Sequence, residues 1–151
     1  MVDALRRRAA ARMLQQTFVF TNGCFDVLHP GHVELLRQAK RQGHYLMVGL
    51  NSDRSVHALK GDGRPVQNQA ARSTVLSALA DVDGVVVFDE ETPHELIRTL
   101  EPDVLVKGGD YAPERVVGRD VVEKAGGKVV IVPLVPGHSS SEIVARLTPS
   151  R

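Results

Sequence analysis

The densest run of side chains able to do chemistry is Thr21-Asn22-Gly23-Cys24-Phe25-Asp26-Val27-Leu28-His29-Pro30-Gly31-His32. His29 and His32 stand three apart where an apolar segment gives way to a helical pattern. That places both at a helix N-terminus, where free backbone N–H groups and the helix dipole attract anions. Gly31 allows a phosphate to approach the backbone closely, and Pro30 fixes the turn ahead of the helix. Phosphate binding is one reading of the pair. A metal pair is a second, although it would want further His, Cys or carboxylate ligands and Asp26 alone is a thin supplement. Two structural histidines with satisfied ring nitrogens are the third.

Four further groups have suitable chemistry. Asn51 and Asp53 end a second apolar run, and Lys107, Gly108, Gly109 and Asp110 end a later one. Paired glycines after an apolar strand suggest close backbone approach by a ligand. Ser139, Ser140 and Ser141 open the last helical segment, and a single serine would suffice for capping, so three in a row lean towards an anion at a second helix N-terminus. The stretch from Asp53 to Asn68 is the longest without clear periodicity and holds Lys60, Gly61, Gly63, Arg64 and Pro65. A functional connection and an ordinary surface loop both fit it. Cys24 has no evident base beside it and reads as a small packing residue. Asp26 fits a sugar contact or a loop cap equally well.

These groups need elements to carry them. Phe18-Val19-Phe20 reads as a buried strand, and the segment from Gly31 to about Gln42 has helical periodicity through Val33, Leu35, Leu36 and Ala39. Tyr45 to Leu50 is almost continuously apolar, as in a strand covered on both faces. A helix from about Gln69 to Ala80, a strand at Val85–Phe88 and a helix capped by Thr92 with Pro93 in its first turn follow. Asp103–Lys107 is a fourth strand, Val116 to Ala125 a helix stopped by Gly126-Gly127, and Val129–Val132 a fifth strand. A last helix runs from Ser140 or Ser141 to Leu147 after a Pro136-Gly137 turn.

This alternation predicts an α/β domain: a doubly wound parallel five-stranded sheet flanked by helices, with right-handed crossovers. In such sheets ligands bind beyond the carboxyl ends of the strands, near the switch in strand order, and each motif above lies just after a strand. At 151 residues the chain fits one domain, with residues 1–16 as an N-terminal helical extension and 17–151 as the main body. Arg6, Arg7, Arg8 and Arg12 read as the solvated face of a short surface helix.

Bulk properties exclude several classes. A formal net charge of +1 gives no reason to expect a nucleic-acid partner. A single cysteine excludes an internal disulfide and a multi-cysteine zinc site. No apolar run is long enough to span a bilayer, and the N-terminus does not read as a secretory signal, so a cytoplasmic protein without a membrane partner is expected. There is no Gly-x-x-x-x-Gly-Lys-Ser/Thr phosphate loop, and no Gly-x-Gly-x-x-Gly follows the first strand, which counts against P-loop kinases and dehydrogenases.

The cluster closely resembles the signature of the nucleotidyltransferase superfamily whose HxGH motif binds nucleotide phosphates, intact here as His29, Gly31 and His32. Asn51-Ser52-Asp53, Leu59-Lys60-Gly61, Gly63-Arg64-Pro65, Val106–Tyr111 and Ser139-Ser140-Ser141 resemble bacterial heptose 1-phosphate adenylyltransferases. The resemblance covers almost everything from Phe18 to Leu147. It implies a Rossmann-like fold and transfer of AMP from ATP, with Mg²⁺, to D-glycero-D-manno-heptose 1-phosphate. The products are ADP-heptose, for lipopolysaccharide core assembly, and pyrophosphate.

Many family members fuse this activity to a sugar kinase. The resemblance therefore implies a transferase half that relies on a separate heptose kinase upstream, and dimers are common among relatives. It gives catalytic roles to His29, His32 and Lys60, and nucleotide contacts to Asn22, Gly23, Cys24, Phe25, Gly31, Lys107, Gly109, Ser139, Ser140 and Ser141. It gives acceptor contacts to Asp26, Asn51, Asp53, Arg64, Arg72 and Asp110, with no protein-held metal. Relatives usually carry an acidic residue before Arg72, whereas this chain has Ala71, so an ion pair orienting Arg72 is missing or differently built. Arg72 merely covering its helix is the plain alternative.

The chemistry stands apart from the name. A phosphate oxygen of the acceptor attacks the α-phosphorus in line, so the protein must align two anions and offset charge as pyrophosphate departs. No covalent nucleophile is needed, and imidazole donors beside a helix N-terminus supply preorganised stabilisation. The main rival is a cytidylyltransferase acting on glycerol 3-phosphate or a similar alcohol phosphate. A pantetheine-phosphate adenylyltransferase fits less well, and a regulatory module that binds nucleotide without turnover is the alternative from another class.

Overall fold

Phe18, Val19 and Phe20 are wholly buried, and so are Leu46, Val48 and Leu50, the burial of strands covered on both faces. In the computed structural model, which describes residues 1–110, 112–133 and 135–147, these segments lie side by side in a five-stranded parallel sheet. Its strands are β1 Phe18–Gly23, β2 Tyr45–Asn51, β3 Gly84–Phe88, β4 Val104–Gly108 and β5 Lys128–Val132. Their spatial order is β3-β2-β1-β4-β5, so the chain winds outward from β1 to β3 and then returns to the other side of β1. The strand order therefore switches between β1 and β4, where Val19 is in register with Val104 and Phe20 with Leu105.

The described residues form seven helices: α1 Val2–Met13, α2 Pro30–Lys40, α3 Asp53–Lys60, α4 Gln69–Ser77, α5 His94–Leu100, α6 Arg119–Lys124 and α7 Ser140–Leu147. Alternation along the strands separates two cores. Phe18, Phe20, Met47 and Leu105 pack with Ala4 and Ala11 of α1 and Leu96, Ile97 and Leu100 of α5. Val19, Val48 and Val106 pack with Leu36 and Ala39 of α2 and Leu76 of α4. Among the described residues no helix is long and apolar enough to cross a membrane.

Four elements differ from expectation. The stretch after β2 is not irregular: Asp53–Lys60 forms α3, with the Ser55 amide donating to Ser52 Oγ at 3.2 Å and Gly61 closing it at φ +81°. Helix α5 begins at His94 with Pro93, not Thr92, at its cap, and no side chain bonds there. Helix α6 begins at Arg119 rather than Val116, because Val116 is extended and Gly118 takes a left-handed φ of +86°. A Cβ at Gly118 would also lie 2.6 Å from Ile97 Cδ1. The arginines of α1 are not all a solvated face. Arg8 is 6% exposed and donates to the Leu100 and Glu101 carbonyls at 3.0 and 2.6 Å and to both Asp103 oxygens at 2.8 and 2.9 Å. Asp103 also accepts the Phe18 amide at 2.7 Å, so one ion pair joins α1 to the starts of β1 and β4.

Candidate functional site

Two helix N-termini converge beyond the carboxyl end of β1. Helix α2 begins at Pro30, with extended His29 as its cap, and α7 begins at Ser140. Between them lies a pocket of about 320 Å³ lined by Asn22, Gly23, Cys24, Phe25, His29, Gly31, His32, Lys60, Lys107, His138 and all three serines, with Leu35 and Val132 as apolar wall. Ser140 Oγ donates to the Val27 carbonyl at 3.0 Å and so ties the α7 start to the loop that carries the histidines. Ser139 and Ser141 also line the pocket, and neither hydroxyl has a protein partner among the described residues.

The His29 and His32 rings stack with centroids 3.8 Å apart and an interplanar angle of 23°. Gly31 makes this possible, because a Cβ there would lie 3.0 Å from His29 Cε1 and Nδ1. Two imidazolium charges at the 3.8 Å spacing would repel by about 4 kcal/mol at an effective dielectric of about 20, so they cannot both be protonated at low cost. Burial pushes the His32 imidazole down to about 4, helped by His29 and Lys60, and burial with His138 pushes His29 down as well. Near neutral pH both rings are uncharged, each with one donor and one acceptor nitrogen. The Nδ1 atoms of both are buried without a hydrogen-bond partner among the described residues. In the first turn of α2 the His32 and Val33 amides turn back to the His29 carbonyl, and Pro30 has no N–H. The Gly31 amide is left at the pocket with no protein partner among the described residues.

Other expected site residues brace the pocket from below. Arg72, 1% exposed, donates from Nε to the Gln67 carbonyl at 2.9 Å and from Nη1 to the Cys24 and Asn51 carbonyls at 2.6 and 2.8 Å. Its Nη2 reaches Asp53 Oδ1 at 2.7 Å, so Asp53 supplies the orienting carboxylate that Ala71 does not. With its donors so engaged, Arg72 holds the ends of β1 and β2 and does not line the pocket. Asp26, 2% exposed, accepts Arg64 Nε at 2.6 Å and the Val66 and Gln67 amides at 2.8 and 2.9 Å. Burial alone would raise the Asp26 carboxyl, but the two amides and the guanidinium outweigh it and hold it below the usual carboxylate range. Asp26 thus acts as the anchor of the 61–68 loop. Cys24 lines the pocket, and burial raises its thiol despite Lys60 and Arg72, so it is no ready nucleophile.

A second cavity of about 340 Å³ opens on the other side of the sheet edge. It shares Asn22, Gly23, Cys24 and Lys107 with the first and adds Asn51, Leu59, Glu91, Thr92, Pro93, Leu105, Arg115, Val116 and Val117. Burial lowers the Lys107 ammonium, which stands at the junction. Asn51 is buried, and its Nδ2 donates to Ser55 Oγ at 2.9 Å. Gly109 does not offer its amide to a ligand, because that N–H donates to the Val132 carbonyl at 3.0 Å. Asp110 is exposed and lines neither cavity, and Tyr111 of the same motif lies outside the described residues. Among the described residues no group of three or more His, Cys, Asp or Glu side chains is placed to hold a metal ion.

Sequence reasoning missed His138, Glu91 and Arg115. His138 directly precedes the serines, and Glu91-Thr92 follows β3 as the other motifs follow their strands, so position alone could have flagged both. Nothing local distinguishes Arg115, which the short 3-10 turn Pro113–Arg115 brings to the second cavity.

Comparison with known proteins agrees with this geometry. The chain is 60% identical over 127 residues to the bifunctional protein HldE of Hyphomonas neptunium, covering 84% of this chain and 26% of that protein. It is 61% identical over 126 residues to the bifunctional protein HldE of Gluconobacter oxydans, covering 83% and 26%. The chain thus spans about a quarter of the length of the curated relatives it matches. Its fold is similar to that of a lipopolysaccharide core biosynthesis protein from Thermoplasma volcanium, with TM-score 0.64 and 24% identity over 80% of this chain and 97% of that one. The cytidylyltransferase-like family model matches residues 20–146, which takes in both helix N-termini and all five strands but for the first residues of β1, and the chain belongs to that family.

Proposed function

We propose that this protein is an adenylyltransferase that joins AMP from ATP to D-glycero-D-manno-heptose 1-phosphate, releasing pyrophosphate and forming ADP-heptose for lipopolysaccharide core assembly. The observation that carries the reading is the stacked pair of imidazoles of His29 and His32 at the α2 N-terminus, which line one pocket together with the α7 N-terminus. A phosphate chain in that pocket meets the unpartnered Gly31 amide and two imidazole rings at a helix N-terminus. Resemblance of the motifs to heptose 1-phosphate adenylyltransferases and about 60% identity to HldE proteins support the choice of acceptor.

The two cavities suit two substrates. The triphosphate lies in the first, against the Gly31 amide, both histidines and Lys60. The sugar phosphate lies in the second, with Arg115 as its cation and Glu91 and Asn51 as partners for hydroxyls. Their shared floor, Asn22 to Cys24 and Lys107, is where the acceptor oxygen attacks the α-phosphorus in line as the pyrophosphate oxygen leaves. Neutral imidazole donors stabilise the growing negative charge without having to lose a proton. A divalent cation enters on the triphosphate, as part of the magnesium–nucleotide substrate. The protein works in the cytoplasm as a homodimer, and a sugar kinase activity upstream supplies the phosphorylated sugar.

Pyrophosphate release tests the proposal, with ATP or CTP paired against heptose 1-phosphate, glycerol 3-phosphate and pantetheine phosphate. Release with ATP and the heptose phosphate is expected. Release only with CTP and an alcohol phosphate overturns the acceptor and nucleotide, and nucleotide binding without release from any pair overturns the enzyme.

A further inference from the structure

The imidazoles of the pocket form a row of three rather than a pair. His32 lies 5.1 Å from the Phe25 ring and 3.8 Å from His29, and His29 lies 6.2 Å from His138 at an interplanar angle of 16°. The row therefore runs from the β1 end of the pocket to the loop that opens α7. His138 is exposed, so burial of its ring does not explain its place. Two observations place it beside the start of α2 and the loop before that helix. Its Cβ lies 3.5 Å from where a Gly31 Cβ would stand, and two residues on, Ser140 Oγ bonds the Val27 carbonyl.

The direction of the row matters for chemistry. The α-phosphate must face the acceptor where the two cavities meet, at Cys24 and Lys107. The β- and γ-phosphates then extend away from that junction, along the row towards His138 and the serines. We infer that His138 is a third imidazole contact to the triphosphate, bound to its leaving end and holding the pyrophosphate as it departs. This rests on the nucleotide reading of the same pocket and adds a residue to it. The bond that breaks joins the α-phosphorus to its bridging oxygen, and His138 steadies the charge that collects on the departing group.

Calorimetric titration of the intact protein with pyrophosphate and with AMP tests the inference, using wild type, His138→Ala and His138→Asn. Pyrophosphate affinity should fall about five- to tenfold in both variants, the size of one lost hydrogen bond to a charged group, while AMP affinity stays within about twofold. In turnover assays KM for the triphosphate should rise more than kcat falls. Unchanged pyrophosphate affinity overturns the role of His138, as does AMP affinity falling in step with it, since that marks a packing residue. If wild type binds neither pyrophosphate nor any triphosphate, the nucleotide reading itself fails.

Discussion

The pocket rim and the brace beneath it are built from similar polar residues but differ in how their hydrogen-bonding atoms are used. In the brace, Arg72 has four bonds to protein oxygens and Asp26 accepts a guanidinium and two amides. At the rim, the Nδ1 atoms of His29 and His32 have no partner among the described residues although both are buried. Arg64 lines neither cavity and belongs to the brace: its Nε is held by Asp26, while its Nη2 is buried without a partner among the described residues. A residue type that could bind phosphate is thus not evidence of binding phosphate. What separates the two regions is capacity left unused in the folded state, which only the structure reveals.

The largest expected effect falls on the brace. Arg72→Met should lower stability by about 3 kcal/mol or more, because the Cys24, Asn51 and Gln67 carbonyls lose buried donors. The urea midpoint checks this, and an unchanged midpoint would move Arg72 to the ligand-facing group. Next comes the rim. His32→Ala should cut turnover about a hundredfold or more, or roughly 2.7 kcal/mol of transition-state stabilisation, with a urea midpoint close to wild type. Near-normal turnover would dissolve the distinction between the regions.

The smallest effect separates them along the pH axis. His32 has its basicity lowered to about 4 by burial, so between the ordinary imidazole value near 6.5 and about 4 the unfolded chain binds the extra proton. Stability therefore falls as pH falls through that window. Asp26 is shifted down, so its contribution is intact above the ordinary carboxylate value of 3.8 and is lost only as pH drops below it. Thermal unfolding of wild type and His32→Ala at pH 7, 6 and 5 should show a flatter pH dependence in the variant. Parallel curves would mean that burial of His32 has no such cost.

Much of this was legible in the chain. The five strands and most helices follow from apolar runs and periodicity, and the pocket from motifs that each come just after a strand. Helix α3 was not, because only Ser55 and Val56 of its eight residues are buried, leaving no apolar stripe for periodicity to detect. The Ser52 cap and Gly61 stop were the signals available. The roles of Arg72 and Asp26 were not legible either. A chain written as letters places a guanidinium near a loop, but whether it points at a ligand or at three carbonyls depends on contacts of which two come from residues 21 and 48 positions away. The same holds for Arg8, whose neighbours in sequence are exposed while it is not.

Arg8 also bears on the time course of folding. Its partners Leu100, Glu101 and Asp103 lie 92 to 95 residues further along the chain. As synthesis proceeds, α1 is made before the sheet that follows it, yet has no buried partner for its guanidinium until the segment leading into β4 has followed. Closing so long a loop carries its entropic cost before any contact rewards it. A helix that precedes all five strands in the chain is therefore among the later elements of this domain to settle into place.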